Sequence, residues 1–85
     1  MLEMEYTIKE KVGLHARPAG ILVKHASGLG SVITILFREK EADAKRLFSV
    51  MALGVECGDT ITIRVEGKRE KEDFESIKNF LENNL

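Results

Sequence analysis

Gly13-Leu14-His15-Ala16-Arg17-Pro18-Ala19-Gly20 stands where a strand-like segment gives way to a helical pattern. Proline has no N–H to donate, so Pro18 suits a first helical turn, where backbone N–H groups have no intrahelical partner. The remaining N–H groups of that turn are free, and the helix dipole makes the place attractive to an anion. Arg17 adds a fork of donors matched to phosphate or carboxylate. His15 adds an imidazole, a side chain able to act as a nucleophile near neutral pH. A nucleophile, an oxyanion cradle and a guanidinium within a few residues suggest a histidine that accepts a phosphoryl group. On local chemistry alone two other readings stay open: an anion site without covalent chemistry, and a surface or capping histidine.

Working outward, Leu2, Met4, Tyr6 and Ile8 alternate with Glu3, Glu5, Thr7 and Lys9, the period of a half-buried strand. Glu10 to Gly13 forms the approach to the central stretch. From Ala16 onward, Ala19, Leu22, Val23 and Ala26 fall on one helical face, and Gly28 is expected to stop that helix in a left-handed conformation. Lys24 and His25 lie off this stripe and are expected to face solvent.

Ser31 to Phe37 reads as a strand with Ile33, Ile35 and Phe37 on one face. The charged run Arg38-Glu39-Lys40-Glu41 has no Gly, Asn or Pro to demand a tight hairpin. It therefore reads as a loose, solvated connection, with a short edge strand at Lys40 to Ala42 as the alternative.

Ala44 to Leu53 is a short helix with more apolar residues than one buried stripe requires. Val50 and Leu53 are expected to face the core. Leu47, Phe48 and Met51 are expected at least partly exposed, as adaptable contacts for partners. Gly54 ends the helix. Cys57-Gly58-Asp59 is turn-like, and Thr60 to Val65 alternates with Ile61, Ile63 and Val65 inward. Glu70 to Leu85 is a last amphipathic helix, with Phe74, Ile77, Leu81 and Phe80 toward the sheet and an acidic start that suits its dipole. The order strand, helix, strand, short strand, helix, strand, helix makes an α+β domain over residues 1–85. Its form is a two-layer open-faced sandwich, a four-stranded, mainly antiparallel sheet with helices on one face.

Composition narrows the function classes. Thirteen basic against fourteen acidic residues give a net charge of −1, unlike the basic footprint of a nucleic-acid binder. One cysteine and two histidines make neither an intrachain disulfide nor a multi-residue metal site, and nothing calls for a cofactor. The alternating N-terminus is unlike a signal peptide, and no apolar run is long enough to cross a bilayer. A cytoplasmic protein without membrane insertion is the expectation.

Two motifs carry a resemblance. Gly13-Leu14-His15-Ala16-Arg17-Pro18-Ala19 resembles the active-site signature of the HPr family, the histidine-containing phosphocarriers of the bacterial phosphoenolpyruvate-dependent sugar phosphotransferase system. Lys45-Arg46-Leu47-Phe48-Ser49-Val50-Met51-Ala52-Leu53-Gly54 is similar to that family's regulatory-site helix. The likeness covers nearly the whole chain and agrees with the βαββαβα order.

The resemblance implies that Enzyme I phosphorylates His15 on Nδ1, with phosphoenolpyruvate as ultimate donor, and that the group then passes to an enzyme IIA. It implies that the N–H groups at Ala16 and Arg17, together with the Arg17 guanidinium, receive the phosphoryl oxygens. It places Gly20, Leu47, Phe48 and Met51 on a shared docking surface with Lys24, Lys45 and Arg46 as a basic rim. Such a carrier is not an enzyme in its own right, and a monomer is the expected state.

Arg46 departs from the family pattern, since Gram-positive members carry at this position a serine that a kinase phosphorylates. Arginine closes that route at this position, and the nearby Ser49 is the alternative acceptor, although it sits where the family usually has another residue. The departure admits an alternative: an HPr-like regulatory protein that binds a non-transport target, with His15 phosphorylation as the switch.

Overall fold

Strands that bury alternate residues need a partner layer, and three helices supply it on one side of this sheet. The computed structural model describes all of residues 1–85. Its elements are β1 (Leu2–Thr7), α1 (Ala16–Ser27), β2 (Val32–Phe37), β3 (Lys40–Asp43), α2 (Leu47–Ala52), β4 (Thr60–Glu66) and α3 (Glu70–Asn84). The sheet runs β1-β4-β2-β3 with every neighbouring pair antiparallel. This is the expected βαββαβα open-faced sandwich.

Register follows from burial. Ile63 of β4 lies between Met4 of β1 and Ile35 of β2, and Val65 lies between Leu2 and Ile33. Each of these rows shares a face, and a one-residue slip would turn all of them outward. Ile33, Ile35, Ile61, Ile63 and Val65 are fully buried, joined by Leu22 and Ala26 of α1, Val50 of α2 and Ile77 and Leu81 of α3. The Tyr6 hydroxyl donates to the Leu81 carbonyl at 2.9 Å, tying the edge strand β1 to α3. The other face is open to water, as antiparallel sheets allow, and carries the Arg64–Glu3 ion pair at 2.8 Å.

Four local expectations are corrected. Arg38 to Glu41 is not a loose loop: Phe37 pairs with Lys40, so only Arg38 and Glu39 form the turn of a tight hairpin. Arg38 adopts φ +57°, the positive value that the first position of a type II′ turn requires and that glycine usually supplies. The left-handed cost of about 1–2 kcal/mol is offset by a ladder that brings Ala42 against Ile35, and the Arg38 guanidinium lies 4.8 Å from the Phe37 ring centre. The short edge strand is therefore real.

Gly28 is not left-handed: at φ −81°, ψ −5° it continues the right-handed path. Its N–H and that of Leu29 bond back to His25 and Ala26, tightening the last turn of α1. His25 does not simply face solvent. It is half-buried, stacks on Phe80 at 4.5 Å between ring centres, and meets the Ser76 hydroxyl at 3.0 Å through Nε2. Phe80 thus packs against His25 of α1 as well as against the core. The second helix is also shorter than its apolar run, because Ala44 to Arg46 form a turn closed by the Arg46 N–H bonding to the Asp43 carbonyl at 3.0 Å.

Candidate functional site

The loop that presents His15 is held by its backbone. Gly13 has φ +65°, and a Cβ there would lie 2.4 Å from the Val55 carbonyl oxygen. Glycine is thus required twice over, for conformation and for close approach. The Leu14 N–H donates to that same carbonyl at 2.9 Å, and the Leu14 side chain is buried. The loop leaving α2 therefore braces the loop entering α1.

His15 is the N-cap of α1 in an extended conformation, and its side chain makes no capping hydrogen bond. Its carbonyl accepts the Ala19 N–H at 2.8 Å. The N–H groups of Ala16 and Arg17 precede that first helical bond and have no intrahelical partner, while Pro18 has no N–H to leave unsatisfied. No residue of the first turn of α1 itself is acidic. The imidazole is about 60% exposed, enough for a partner's group to reach it.

Arg17 is exposed and lines an open groove with Glu10, Val12, Pro18 and Ile21. None of the chain's five ion pairs involves its guanidinium. Glu56 completes the setting: its Oε2 lies 3.4 Å from His15 Nε2. Sequence reading does not find Glu56, because it is 41 positions away and lies in a turn whose approach depends on the packing at Gly13.

The second helix presents the division of faces that its composition suggests. Val50 and Leu53 are buried, Leu47 and Met51 are half-buried, and Phe48 is 82% exposed. Gly20 is half-buried on α1, with open space where a side chain would stand. Lys24 is exposed. Lys45 is half-buried and keeps its charge, its Nζ donating to the Leu29 carbonyl at 2.8 Å. Arg46 is the N-cap of α2 without a side-chain capping bond, and its Nε is 3.7 Å from Asp43. Ser49 is exposed.

Comparison with known proteins bears on the fold and the family. A family model described as the PTS HPr component phosphorylation site matches residues 2–83. Phosphocarrier protein HPr of Mycoplasma capricolum subsp. capricolum is 41% identical over 78 residues, spanning 92% of this chain and 88% of its own length. The crystal structure of HPr-C-His from Thermoanaerobacter tengcongensis superposes with a TM-score of 0.92 at 36% identity, covering 99% of this chain and 94% of that one. The catabolite repression protein Crh of Bacillus subtilis, whose crystal structure is a swapped, intertwined dimer, gives a TM-score of 0.76 at 27% identity, covering 100% and 98%.

Fold and comparisons together define a phosphocarrier protein of the open-faced α+β kind, not an enzyme in its own right. The chain belongs to the HPr family of the phosphotransferase system. No helix is long and apolar enough to cross a membrane.

Proposed function

We propose that this chain relays a phosphoryl group through His15, receiving it from phosphorylated Enzyme I, with phosphoenolpyruvate as ultimate donor, and delivering it to an enzyme IIA of a sugar transport system. One observation carries the reading: an exposed imidazole stands at the N-cap of a helix whose first two N–H groups are unpaired and whose second residue is an unpaired arginine. In the forward step the Nδ1 lone pair forms a bond to phosphorus as the donor's bond to phosphorus breaks, its electron pair returning to the donor. The phosphoryl oxygens then lie toward the N–H groups of Ala16 and Arg17 and toward the Arg17 guanidinium. The second transfer is the same step with His15 as leaving group.

The carrier needs no enclosed pocket, because each partner supplies the other half of the transition-state surroundings. Moderate stabilisation serves a relay, since a phosphate held too tightly would not leave. The docking surface in this reading is Gly20 of α1 with Leu47, Phe48 and Met51 of α2. Lys24 and Arg46 form its basic rim and act mainly on encounter rate. Lys45 belongs to that rim as well, its charge intact and its ammonium oriented by the Leu29 carbonyl. The protein acts as a cytoplasmic monomer, one domain over residues 1–85, so that the same face meets successive partners.

Likeness to Crh favours a second reading, a regulatory protein that binds a non-transport target under the control of His15 phosphorylation. Arg46 removes the serine-kinase route from either reading. The test is incubation with phosphoenolpyruvate and a bacterial Enzyme I, followed by intact mass measurement beside His15→Ala. The relay reading expects one acid-labile phosphate on the parent, absent from the variant, that is discharged when an enzyme IIA is added. No phosphate on the parent overturns it, and a phosphate that no enzyme IIA discharges transfers the case to regulation.

A further inference from the structure

Glu56 is the only charged side chain paired with the imidazole of His15, and nothing in the carrier chemistry described so far uses it. Its position is not accidental to a mobile surface chain. The Glu56 N–H donates to Asp59 Oδ2 at 2.8 Å, and the Asp59 N–H returns to the Glu56 carbonyl at 3.0 Å, closing a braced turn. The preceding residue, Val55, is buried and accepts the Leu14 N–H, while the Gly13 backbone rests against the Glu56 Cα. Both backbones are thus locked together one residue from the two side chains, and the 3.4 Å approach of carboxylate to ring nitrogen follows from that docking.

Resting on the relay reading above, we propose that Glu56 is a positioning residue for phosphoryl transfer at His15. Its carboxylate accepts the Nε2–H of the ring, which holds the proton on Nε2 and leaves the lone pair on Nδ1, the nitrogen that attacks. When Nδ1 bonds to phosphorus, the ring gains positive charge while Nε2 keeps its proton, and the adjacent carboxylate stabilises that charge. Because Glu56 meets the edge of the ring opposite to Nδ1, it does so without standing beside the phosphoryl oxygens. The contact is long for a charge-assisted bond, and hydrogen bonds of this kind tighten when the partner and the reacting group are in place. Both side chains are largely solvated, so the effect is worth a small factor rather than orders of magnitude.

The deciding experiment measures the two ring tautomers of the unphosphorylated protein by long-range ¹H–¹⁵N correlation, well above the ordinary histidine titration range. The same samples then supply the rate of phosphate uptake from Enzyme I. Glu56→Ala should raise the ratio of Nδ1–H to Nε2–H tautomer, and slow uptake, each by about twofold to fivefold. Glu56→Gln, whose amide oxygen still accepts the Nε2–H but carries no charge, should restore the tautomer ratio toward the parent while uptake stays slow. A tautomer ratio and an uptake rate in Glu56→Ala equal to the parent's would overturn the proposal and leave the relay untouched. A parent protein that takes up no phosphate would instead bring down the relay reading, and with it any role for Glu56 in transfer.

Discussion

Three features meet at one residue. His15 ends an extended segment, begins a helix and exposes its ring, and the chain achieves this by not using the imidazole as a cap. A serine, threonine or aspartate at an N-cap would turn its side chain onto the N2 or N3 N–H and fill the place an anion would take. Arg17 belongs to the same argument, because its guanidinium has no carboxylate to occupy it. In the proposed relay Arg17 gives charged hydrogen bonds to the phosphoryl oxygens, so Arg17→Ala should slow transfer by about tenfold to a hundredfold, the equivalent of ~1.5–3 kcal/mol. The side chain is exposed, so the thermal midpoint should hardly move. Uptake from Enzyme I at the parent's rate in a folded variant would count against the role.

At the level of elements, α2 divides a buried face from an exposed one. Val50 and Phe48 are two positions apart on the same short helix, yet one is fully buried and the other 82% exposed. Val50→Ala should cost about 1–3 kcal/mol in chemical denaturation through lost burial and an unfilled cavity. Phe48→Ala should cost under about 0.5 kcal/mol but weaken docking to Enzyme I, seen as a higher Michaelis constant for the carrier with an unchanged fold. Equal stability losses from the two substitutions would mean that the face presented by Phe48 is part of the core. The hairpin joining β2 to β3 shows the opposite relation between sequence and element. Its turn residues disfavour the tight form locally, and the strand pairing imposes it.

Over the whole molecule, one buried carboxylate links the layers. Asp73, in the opening turns of α3, is 6% exposed and accepts the Ser31 N–H at 2.9 Å, joining the start of β2 to the last helix. The Ser31 hydroxyl is the leading influence that holds this carboxyl below the ordinary aspartate range, opposed by burial and assisted by the Ser31 N–H. That hydroxyl lies near the carboxylate without meeting hydrogen-bond geometry to any partner, so the N–H bond is the firm structural link. The sign follows by linkage. In the folded state the group binds its proton less readily than in the unfolded chain. Its stabilisation is therefore complete above about pH 4 and is lost as the pH falls through the folded value. Thermal midpoints of the parent and of Asp73→Asn, measured from about pH 6 down to about pH 2, should converge as the pH falls. A constant gap across that range would remove Asp73 from the acid response.

Much of this protein is determined by sequence alone, and the reasons are local. Alternation at Leu2 to Ile8, Ser31 to Phe37 and Thr60 to Val65 defines three strands and their inward faces, because burial of one face has a period of two. Surplus apolar residues at Leu47, Phe48 and Met51 announce a second face on α2, and Pro18 marks the first turn of α1. What the sequence does not contain is distance between residues far apart in the chain. The tight hairpin at Arg38, the stacking of His25 on Phe80, the capture of Lys45 by the Leu29 carbonyl and the approach of Glu56 to His15 all depend on which elements pack together. Tertiary structure decided these four, because each is a contact whose free energy exists only once two separately formed elements have docked.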